Sequence, residues 1–508
     1  MADTPPNVLL ITTDQQRTDS LSCYGSGFTA TPHLDRLAAE GVRFERAYCA
    51  NPVCTPARAS IFTGRYLSRH GAWNIGMNVP QEERMLSHFL GEAGYRTHYI
   101  GKAHFQGFQG TAEQSRESRG DWPQIYPEWT GPYYGFDTVE LALAHGPGGM
   151  RGHYGAWVRA QVSAEEFAAY QEAHTDAKHH FGGEAYDWDL PLRLHNSVWT
   201  ADRTVDWLER EGERPFLLAV GFEDPHHPHA VPREFSDRVR PEEVPLPDFS
   251  PGELDDRPPF FRLAHEGRWP ESGLIGEYGV AGQWLGGGRY ADFREVTGAE
   301  ARRGRAYYYT MVRLIDHQMG RLLAALERLG LAENTLVIFT TDHGELLGDH
   351  GLWMKGPFHY EQLVRIPMIC RWPAGFPGGQ VSGALLSQVD VVPTALEAAG
   401  LPRPGNLDGA SALPYLRGEA QAVRRQALVE CVDSPRGIRC KTLVTPTHKL
   451  TWYAGHDYGE LVDLVADPSE RRNLWADPAH QRLRAELLGR LLDLQEPLER
   501  RAERYSYA

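Results

Sequence analysis

The sequence predicts an α/β fold, a large, mostly parallel sheet sandwiched by helices, followed by a smaller C-terminal α+β domain with an antiparallel sheet. Two observations support this prediction. Continuous apolar runs of strand length alternate with helical patterns over residues 1–400, which is typical of a parallel sheet buried on both faces. Beyond about residue 420 the pattern changes to short strands and a closing charged helix.

The elements of the large sheet can be placed in chain order. Buried strands are predicted at residues 7–13, 96–100, 215–220 and 335–340. Helices are predicted at residues 31–41, 86–93 and 307–329. The first of these has the full set of boundary signals, because it begins with Thr31-Pro32 and ends at Gly41.

Two long insertions interrupt this alternation, at about residues 106–195 and 228–300. They are rich in glycine, proline and aromatic residues and show little periodicity. Their aromatic side chains either line a substrate cleft or pin irregular loops to the body of the protein. The residues concerned are Trp122, Trp129, Tyr133, Tyr134, Trp157 and Trp188.

The predicted domains are a catalytic domain at 1–400, a linker at 401–424 and a C-terminal α+β subdomain at 425–508. The linker prediction depends on the segment Leu401–Asn406, which contains two prolines and a glycine. Strands of the subdomain are predicted at 426–430, 442–444, 448–452 and 460–463, and its helix at 480–496.

The composition excludes several classes of protein. The chain has 508 residues and a formal net charge of -15, which argues against a nucleic-acid partner. No secretory signal and no apolar stretch of membrane-spanning length is visible, so we expect no membrane association. Six cysteines without regular spacing do not indicate a disulfide framework, and a reduced, cytoplasmic protein is the simplest expectation.

The pentapeptide Cys54-Thr55-Pro56-Ala57-Arg58 is the stretch most informative about function. It predicts a helix with Thr55 as N-cap and Pro56 as its first residue, ending at Gly64. Cys54 would then lie at the positive end of this helix, where negative charge is favoured, with Arg58 one turn further in. A small cysteine that fills the core explains Cys54 equally well by itself.

Polar residues follow each of the four predicted strands directly. Asp14-Gln15 follow the first strand, Lys102 and His104 the second, His226 the third, and Asp342-His343 the fourth. Ligands of open parallel sheets bind at the carboxyl ends of the strands. We therefore expect one shared site rather than four solvated turns.

Within this site, two kinds of residue can be distinguished. Two carboxylates, an amide oxygen and an imidazole suit a divalent cation with mainly oxygen ligands, such as Ca²⁺ or Mn²⁺, better than they suit zinc. Helix capping in a turn is the alternative for Asp342 or His343 alone. The candidate anion binders and proton carriers are Arg58, Lys102, His104, His226 and Lys355.

These motifs together resemble the type I, formylglycine-dependent sulfatases of the alkaline phosphatase superfamily, nearly from end to end. The matching segments are Cys-x-Pro-x-Arg at 54–58 with Thr63-Gly64-Arg65, Gly101-Lys102-Ala103-His104, His226-His227-Pro228, Thr341-Asp342-His343-Gly344, Lys355, Glu460-Leu461-Val462-Asp463-Leu464, Asp467-Pro468-Ser469-Glu470 and Asn473-Leu474. The resemblance implies an alkaline phosphatase-like fold. It also implies hydrolysis of a sulfate monoester to an alcohol and inorganic sulfate.

In that family the signature cysteine is oxidised after translation to formylglycine, whose hydrated form is the nucleophile. The resemblance therefore implies formylglycine at Cys54 and a formylglycine-generating enzyme as maturation partner. One gem-diol oxygen would attack sulfur, and the second hydroxyl would later expel sulfate. A thiol that attacked the sulfate ester would instead form a thiosulfate-like adduct, from which sulfate is not easily released.

The resemblance also implies a role for each site residue. The cation, calcium with manganese as the alternative, would be held by residue 54 together with Asp14, Gln15, Asp342 and His343. The substrate would be a small-molecule or sugar sulfate ester. The remaining residues would bind sulfate oxygens (Lys102, Lys355), protonate the leaving alcohol (His226), accept a proton from the diol (His104) and orient the diol (Arg58).

Departures from the family pattern leave an alternative open. Gln15 replaces the commoner second Asp, as in choline-sulfatase-like enzymes and phosphonate monoester hydrolases, so a phosphonate monoester or phosphodiester hydrolase is the alternative. The Lys102 and His104 pair, which those phosphonate hydrolases lack, favours sulfate. Ile75 stands where choline-sulfatase-like members have Asn, for which Asn74 or Asn78 could substitute. The alcohol portion and a homo-oligomeric state are left open.

Overall fold

The computed structural model describes residues 5–172, 185–212, 215–268, 292–433 and 437–498. The strands in these ranges, numbered in chain order, are β1 (Asn7–Thr13), β2 (Val42–Tyr48), β3 (Arg96–Gly101), β4 (Thr138–Leu141), β5 (Ala185–Trp188), β6 (Phe216–Gly221), β7 (His229–Pro232), β8 (Thr335–Thr341), β9 (Arg365–Arg371), β10 (Gln380–Ser387), β11 (Ala427–Val432), β12 (Arg439–Val444), β13 (His448–Tyr453) and β14 (Gly459–Asp463).

The largest sheet has eight strands in the order β10-β2-β9-β8-β1-β6-β3-β4. Its neighbours run parallel except around β9, which is antiparallel to both β2 and β8. Strands β11 to β14 form a separate antiparallel meander, and β5 pairs in parallel with β7. The predicted fold class is therefore confirmed.

Helices cover the sheet. The α-helical segments are Pro32–Glu40, Cys54–Thr63, Leu67–His70, Leu86–Glu92, Trp122–Ile125, Gly152–Gln161, Ala164–Gln171, Asn196–Glu211, Pro259–His265, Gly298–Arg328, Glu361–Val364, Val391–Ala398, Leu413–Leu416 and Gln481–Gln495. Within the described ranges, none of them is both long and apolar enough to cross a bilayer. The cytoplasmic location stays a prediction.

The long helix Gly298–Arg328 begins well before the predicted residue 307. Its start is a capping box. The Thr297 hydroxyl accepts a hydrogen bond from the Glu300 amide at 3.3 Å, and the Glu300 carboxylate accepts one from the Thr297 amide at 2.8 Å. This pair satisfies amides that otherwise have no partner in the first turn, so the helix extends further back than its apolar stripe indicates.

The signature helix spans Cys54–Thr63, so the predicted cap at Thr55 is wrong. Val53 is extended and its carbonyl accepts a hydrogen bond from the Ala57 amide at 3.0 Å, which starts the helix earlier. Cys54 is therefore the first helical residue, and the buried Thr55 hydroxyl has no hydrogen-bond partner among the described residues. The predicted end is confirmed, because Gly64 adopts a φ of 67°.

The insertions contain more regular structure than expected. The described part of the first holds β4, β5 and the helices Trp122–Ile125, Gly152–Gln161 and Ala164–Gln171, and that of the second holds β7, the helix Pro259–His265 and the first residues of the helix Gly298–Arg328. Residues 173–184 and 269–291 of these insertions lie outside the described residues. The aromatic side chains that the sequence pointed to in the insertions pack in or against the hydrophobic core. This favours the interpretation that they pin irregular loops to the body of the protein. Those packed there are Trp122, Trp129, Tyr133, Tyr134, Trp157 and Trp188.

The antiparallel meander contacts the segment that precedes the signature helix. The Glu430 amide at β11 donates to the Ala50 carbonyl at 2.9 Å, and the Asn51 side chain donates to the Glu430 carbonyl at 2.5 Å. The C-terminal sheet thus fixes the approach to Cys54. The domain boundaries at 400 and 425 stay predictions.

Candidate active site

The predicted site residues all converge at one edge of the large sheet. Strands β8, β1, β6 and β3 are consecutive neighbours, and their carboxyl ends carry or lead to seven of the ten residues. Lys355 comes from a loop further along the chain after β8. The signature helix adds Cys54 and Arg58. None of the ten is more than 3% exposed: Asp14, Gln15, Cys54, Arg58, Lys102, His104, His226, Asp342, His343 and Lys355.

Cys54 lies at the centre of this cluster. Its Sγ is 2.9 Å from Lys355 Nζ, 3.3 Å from His343 Nε2 and 3.7 Å from Asp14 Oδ1. Burial, with the Asp14 carboxylate beside it, raises the pKa of the Cys54 thiol to about 11. The helix N-terminus therefore does not make this thiol acidic, because desolvation outweighs the favourable dipole and the nearby lysines.

Four side chains can offer donor atoms to one cation. One donor atom from each of Asp14, Cys54, Asp342 and His343 lies within 4.8 Å of the others. His343 Nδ1 lies 2.8 Å from the Gly344 carbonyl, which assigns the proton to Nδ1 and leaves the Nε2 lone pair facing the cluster. This donor set fits a divalent cation.

Gln15 borders the cluster and stands in a strained backbone conformation with φ of 64°. Its amide N–H donates to Asp342 Oδ1 at 2.9 Å, and its side-chain oxygen accepts from Lys355 Nζ at 2.7 Å. The side-chain nitrogen donates to the buried carboxylate of Glu345. Gln15 thus links Asp342 to Lys355 and keeps its amide oxygen beside the donors.

Arg58 holds the two carboxylates of the cluster in place. Its guanidinium contacts Asp342 Oδ2 at 3.0 Å and Asp14 Oδ2 at 3.2 Å. It also donates to the main-chain oxygens of Lys102 at 2.8 Å and Thr13 at 3.3 Å. Because the carboxylates are fully buried, this rigid fork offsets their charge and fixes their spacing.

Lys102 reaches the cluster from the end of β3. Its Nζ contacts Asp14 and also His145, a residue that the sequence did not point to. Burial alone would raise the pKa of Asp14, but Lys102 and the surrounding cationic groups hold it well below its usual value. The residue before it, Gly101, packs so closely on the chain that a Cβ there would lie 2.0 Å from the Gly221 carbonyl oxygen. This close packing positions Lys102.

His104 is buried with no hydrogen-bond partner at either ring nitrogen among the described residues. Its ring stacks on Phe108 with centroids 4.2 Å apart, and its backbone has a φ of 55°. Glu117 holds this turn, because its carboxylate accepts hydrogen bonds from three successive amides at 2.8–3.1 Å, those of His104, Phe105 and Gln106. Two unsatisfied nitrogens in a strained turn indicate a binding function.

His226 faces the cluster from the loop after β6. Its Nδ1 hydrogen-bonds to the His227 carbonyl, so Nε2 carries the lone pair and accepts from Lys355 Nζ at 3.0 Å. Burial, with cationic neighbours, lowers the pKa of His226 well below its usual value. His145 stacks on the same ring at 3.5 Å.

A cavity of about 460 Å³ opens above Cys54. Its inner end is formed by Cys54, His104, His145 and His226. Its walls are Trp73, Ile75, Met77 and Phe108, and its exposed end is formed by Gly76, Gln109 and Arg119.

Neither asparagine proposed to replace the missing family contact belongs to this lining. Asn74 donates to the Asp433 carbonyl at 2.9 Å, and Asn78 donates to the Gln114 carbonyl at 2.9 Å. Ile75, in contrast, faces the cavity.

Sequence reasoning missed His145, Glu117 and Glu345. His145 lies in the loop after β4, the same kind of position as the predicted residues, but β4 itself was not predicted. Glu117 and Glu345 lie in loops with no periodic pattern. Nothing in the sequence distinguishes them from solvated carboxylates.

Comparison with known proteins agrees with this geometry. The sulfatase family model matches residues 6–401, and the model named "N-sulphoglucosamine sulphohydrolase, C-terminal" matches residues 348–497. The chain is 30% identical over 495 residues to "Uncharacterized sulfatase YidJ" of Escherichia coli K12, covering 96% of this chain and 86% of that protein.

Two further similarities extend over the whole chain. An arylsulfatase of Clostridium perfringens is 29% identical over 492 residues, covering 92% of this chain and 90% of that protein. The crystal structure of phosphonate monoester hydrolase of Agrobacterium radiobacter superposes with a TM-score of 0.77 at 24% identity, covering 97% and 96% of the two chains. The chain therefore belongs to the sulfatase family of the alkaline phosphatase superfamily, and the predicted enzyme class, a sulfuric ester hydrolase, is confirmed.

Proposed function

We propose that this protein hydrolyses a sulfate monoester to an alcohol and inorganic sulfate, with formylglycine formed from Cys54 as the nucleophile. One observation carries the proposal. Side chains from the ends of four adjacent strands and a loop lysine converge on residue 54, with Lys355 Nζ, His343 Nε2 and Asp14 Oδ1 within 3.7 Å of its Sγ. Such convergence on a buried position indicates a reacting atom rather than core filling.

The protonation state of Cys54 supports conversion of the thiol. Burial raises the pKa of the Cys54 thiol to about 11, so the protonated thiol predominates at neutral pH. The thiolate is the reactive form of cysteine, so the unconverted residue is a weak nucleophile here. The hydrated aldehyde supplies an oxygen nucleophile and a second hydroxyl through which sulfate is later released.

We propose Ca²⁺ as the cofactor, with Mn²⁺ as the alternative, held by Asp14, Asp342, His343 and residue 54, with Gln15 beside them. The oxygen-rich donor set supports a hard cation. When bound, the cation would offset negative charge on the nucleophile and on the sulfate. Arg58 keeps the two carboxylates at the spacing this requires.

The other residues provide binding and proton transfer. Lys102 lies beside Asp14 and Lys355 beside Cys54, and both would bind sulfate oxygens. His226 Nε2 would protonate the leaving alcohol, since sulfate beside the ring favours its cationic form over the neutral one. His104, with both nitrogens unsatisfied, would take the proton from the second hydroxyl.

A phosphonate monoester hydrolase is the second candidate, because the Asp14-Gln15 and Asp342-His343 pairs suit that chemistry too. The presence of both Lys102 and His104 beside the reacting position favours the sulfate monoester. A formylglycine-generating enzyme is the partner that the proposal requires.

Intact mass and paired substrates test the proposal. The peptide containing residue 54 should be about 18 Da lighter than its cysteine form, since oxygen replaces sulfur and two hydrogens are lost. Cys54→Ala should abolish turnover of aryl sulfate and keep the fold. Cys49→Ala, a matched change at a buried cysteine nearby, should keep both the mass shift and turnover. A higher rate on the aryl phosphonate than on the aryl sulfate would reject the substrate class.

A further inference from the structure

The exposed end of the cavity carries a positively charged group above the reacting position. Arg119 is exposed and lines the same cavity as Cys54 and His104. Its amide donates to the Phe108 carbonyl at 2.8 Å, and its guanidinium carbon lies 4.8 Å from the Phe108 ring centroid. The side chain is thus held over an aromatic ring instead of extending freely into solvent.

Phe108 connects this arginine to the inner end of the cavity. His104 stacks on the same ring at 4.2 Å, so the guanidinium lies within about 9 Å of the His104 ring. One six-membered ring with substituents at both ends spans such a distance. A substrate whose ester group reaches Cys54 can therefore place a second group beside Arg119.

Arg119 has no salt-bridge partner within the described ranges of the chain. Among the described residues no carboxylate forms an ion pair with its guanidinium, and none lines the cavity. Its neighbour Arg151 donates to the Arg119 carbonyl at 3.0 Å, which brings a second cation close. Partial desolvation against the cavity wall, with Arg151 beside it, lowers the pKa of Arg119 to about 10, still well above neutrality.

Glu223 is the acidic neighbour that acts on Arg119 electrostatically. Burial, with Asp224 next to it, raises the pKa of Glu223 well above its usual value. Glu223 forms no ion pair with Arg119 among the described residues, and it does not line the cavity. The exposed end of the cavity therefore presents positive charge, although the chain has a formal net charge of -15.

From this arrangement we infer that Arg119 forms an anion-binding subsite, and that the substrate carries a second acidic group, a carboxylate or another sulfate, in addition to the scissile sulfate ester. The inference rests on the proposed sulfatase function and makes its alcohol portion more specific. It also disfavours an alcohol with a quaternary ammonium group, because the cavity offers that cation arginine instead of a carboxylate.

Aryl sulfates with matched substituents test this subsite. Phenyl sulfate is compared with its meta and para derivatives that carry a carboxylate, a second sulfate or a trimethylammonium group, and kcat/KM is measured for each. The wild-type enzyme should prefer an anionic derivative over phenyl sulfate by about tenfold or more. The carboxylate and bis-sulfate arms show which acidic group is recognised.

Substitutions of Arg119 test whether the preference for an anionic derivative depends on this residue. In Arg119→Met the ratio of kcat/KM for the anionic derivative to that for phenyl sulfate should fall about 10- to 100-fold, and Arg119→Lys should restore part of it. Arg116→Met is the matched control. It removes the same charge three positions away, from an arginine that stacks on Trp129 at 5.4 Å outside the cavity, and it should leave the ratio unchanged.

The outcomes separate this inference from the function on which it rests. If wild-type enzyme hydrolyses phenyl sulfate but shows no preference among the derivatives, or if Arg116→Met lowers the ratio as much as Arg119→Met, the subsite is rejected and the sulfatase proposal stands. If no sulfate ester in the panel is hydrolysed by formylglycine-containing, cation-loaded enzyme, the proposed function fails and the subsite with it.

Discussion

Replacing Arg58 by Met should destabilise the cation-free protein strongly. The guanidinium is fully buried and makes contacts of 2.8–3.3 Å with two carboxylates and two main-chain oxygens. Its removal leaves Asp342 without its buried cationic partner, and breaking a buried ion pair in this way costs about 3–5 kcal/mol. For a chain of this length, that loss lowers the melting temperature by about 3–5 °C.

The same variant should recover stability when a divalent cation is added. Because the cation binds both carboxylates that lose their contact with Arg58 in the variant, calcium should raise the melting temperature of Arg58→Met more than that of the wild type. Differential scanning calorimetry of chelator-treated protein, with and without millimolar-range Ca²⁺ or Mn²⁺, measures both effects.

Arg17→Met provides the matched control. Arg17 is also buried and is paired with two carboxylates, Asp19 at 2.6 Å and Asp349 at 2.7 Å, which belong to no group of cation ligands among the described residues. It should also lose stability, but less than Arg58→Met, because the Asp19 side chain is 48% exposed and Asp349 keeps its ion pair with Arg305 at 2.8 Å. The cation should not reduce this deficit. Equal rescue of both variants, or an Arg58→Met protein as stable as the wild type, would refute the reasoning.

Three further predictions concern positioning, the cofactor and pH. Glu117→Gln places an NH2 group against at least one of the three amides, that of His104 if the side-chain oxygen stays on Phe105 and Gln106, and should cost about 1–3 kcal/mol. By displacing His104 it should lower kcat more than tenfold, and an unchanged kcat in folded variant protein would contradict this. Dialysis against a chelator should abolish sulfatase activity, and Ca²⁺ or Mn²⁺ should restore it; full activity after verified metal loss would exclude the cofactor. Burial lowers the pKa of His229 and of His359 to about 3, so below about pH 6.5 these two histidines bind protons in the unfolded chain but not in the folded protein. Each should therefore reduce the free energy of unfolding by roughly 2 kcal/mol between pH 6.5 and pH 5. The urea midpoint of the double variant His229→Gln/His359→Gln should depend less on pH than that of the wild type.

The sequence is most informative about the central strands. Strands β1, β6 and β8 are buried on both faces, so their residues are apolar without interruption and easily recognised. Strand β2 carries three charged residues, and β9 has a proline at position 367, so neither resembles a central strand. They were missed because their assignment depends on neighbours distant in sequence.

In the candidate site, too, residues at the ends of recognisable strands could be predicted, whereas residues positioned by tertiary packing could not. Its main residues could be identified because the carboxyl ends of adjacent parallel strands must meet, whatever the intervening loops do. His145 and Glu117 reach the site through the first insertion, whose path is set by tertiary packing. Cys54 itself was placed correctly, but its high pKa could not be predicted, since the helix position favours an anion and burial opposes it.

The depth of Cys54 restricts access to its thiol. The residue is only 1% exposed, under loops that are tied to the C-terminal sheet. Under the proposed function, the thiol would have to be converted before this packing closes over it. Protein that folds with Cys54 unconverted should then stay in an inactive thiol form.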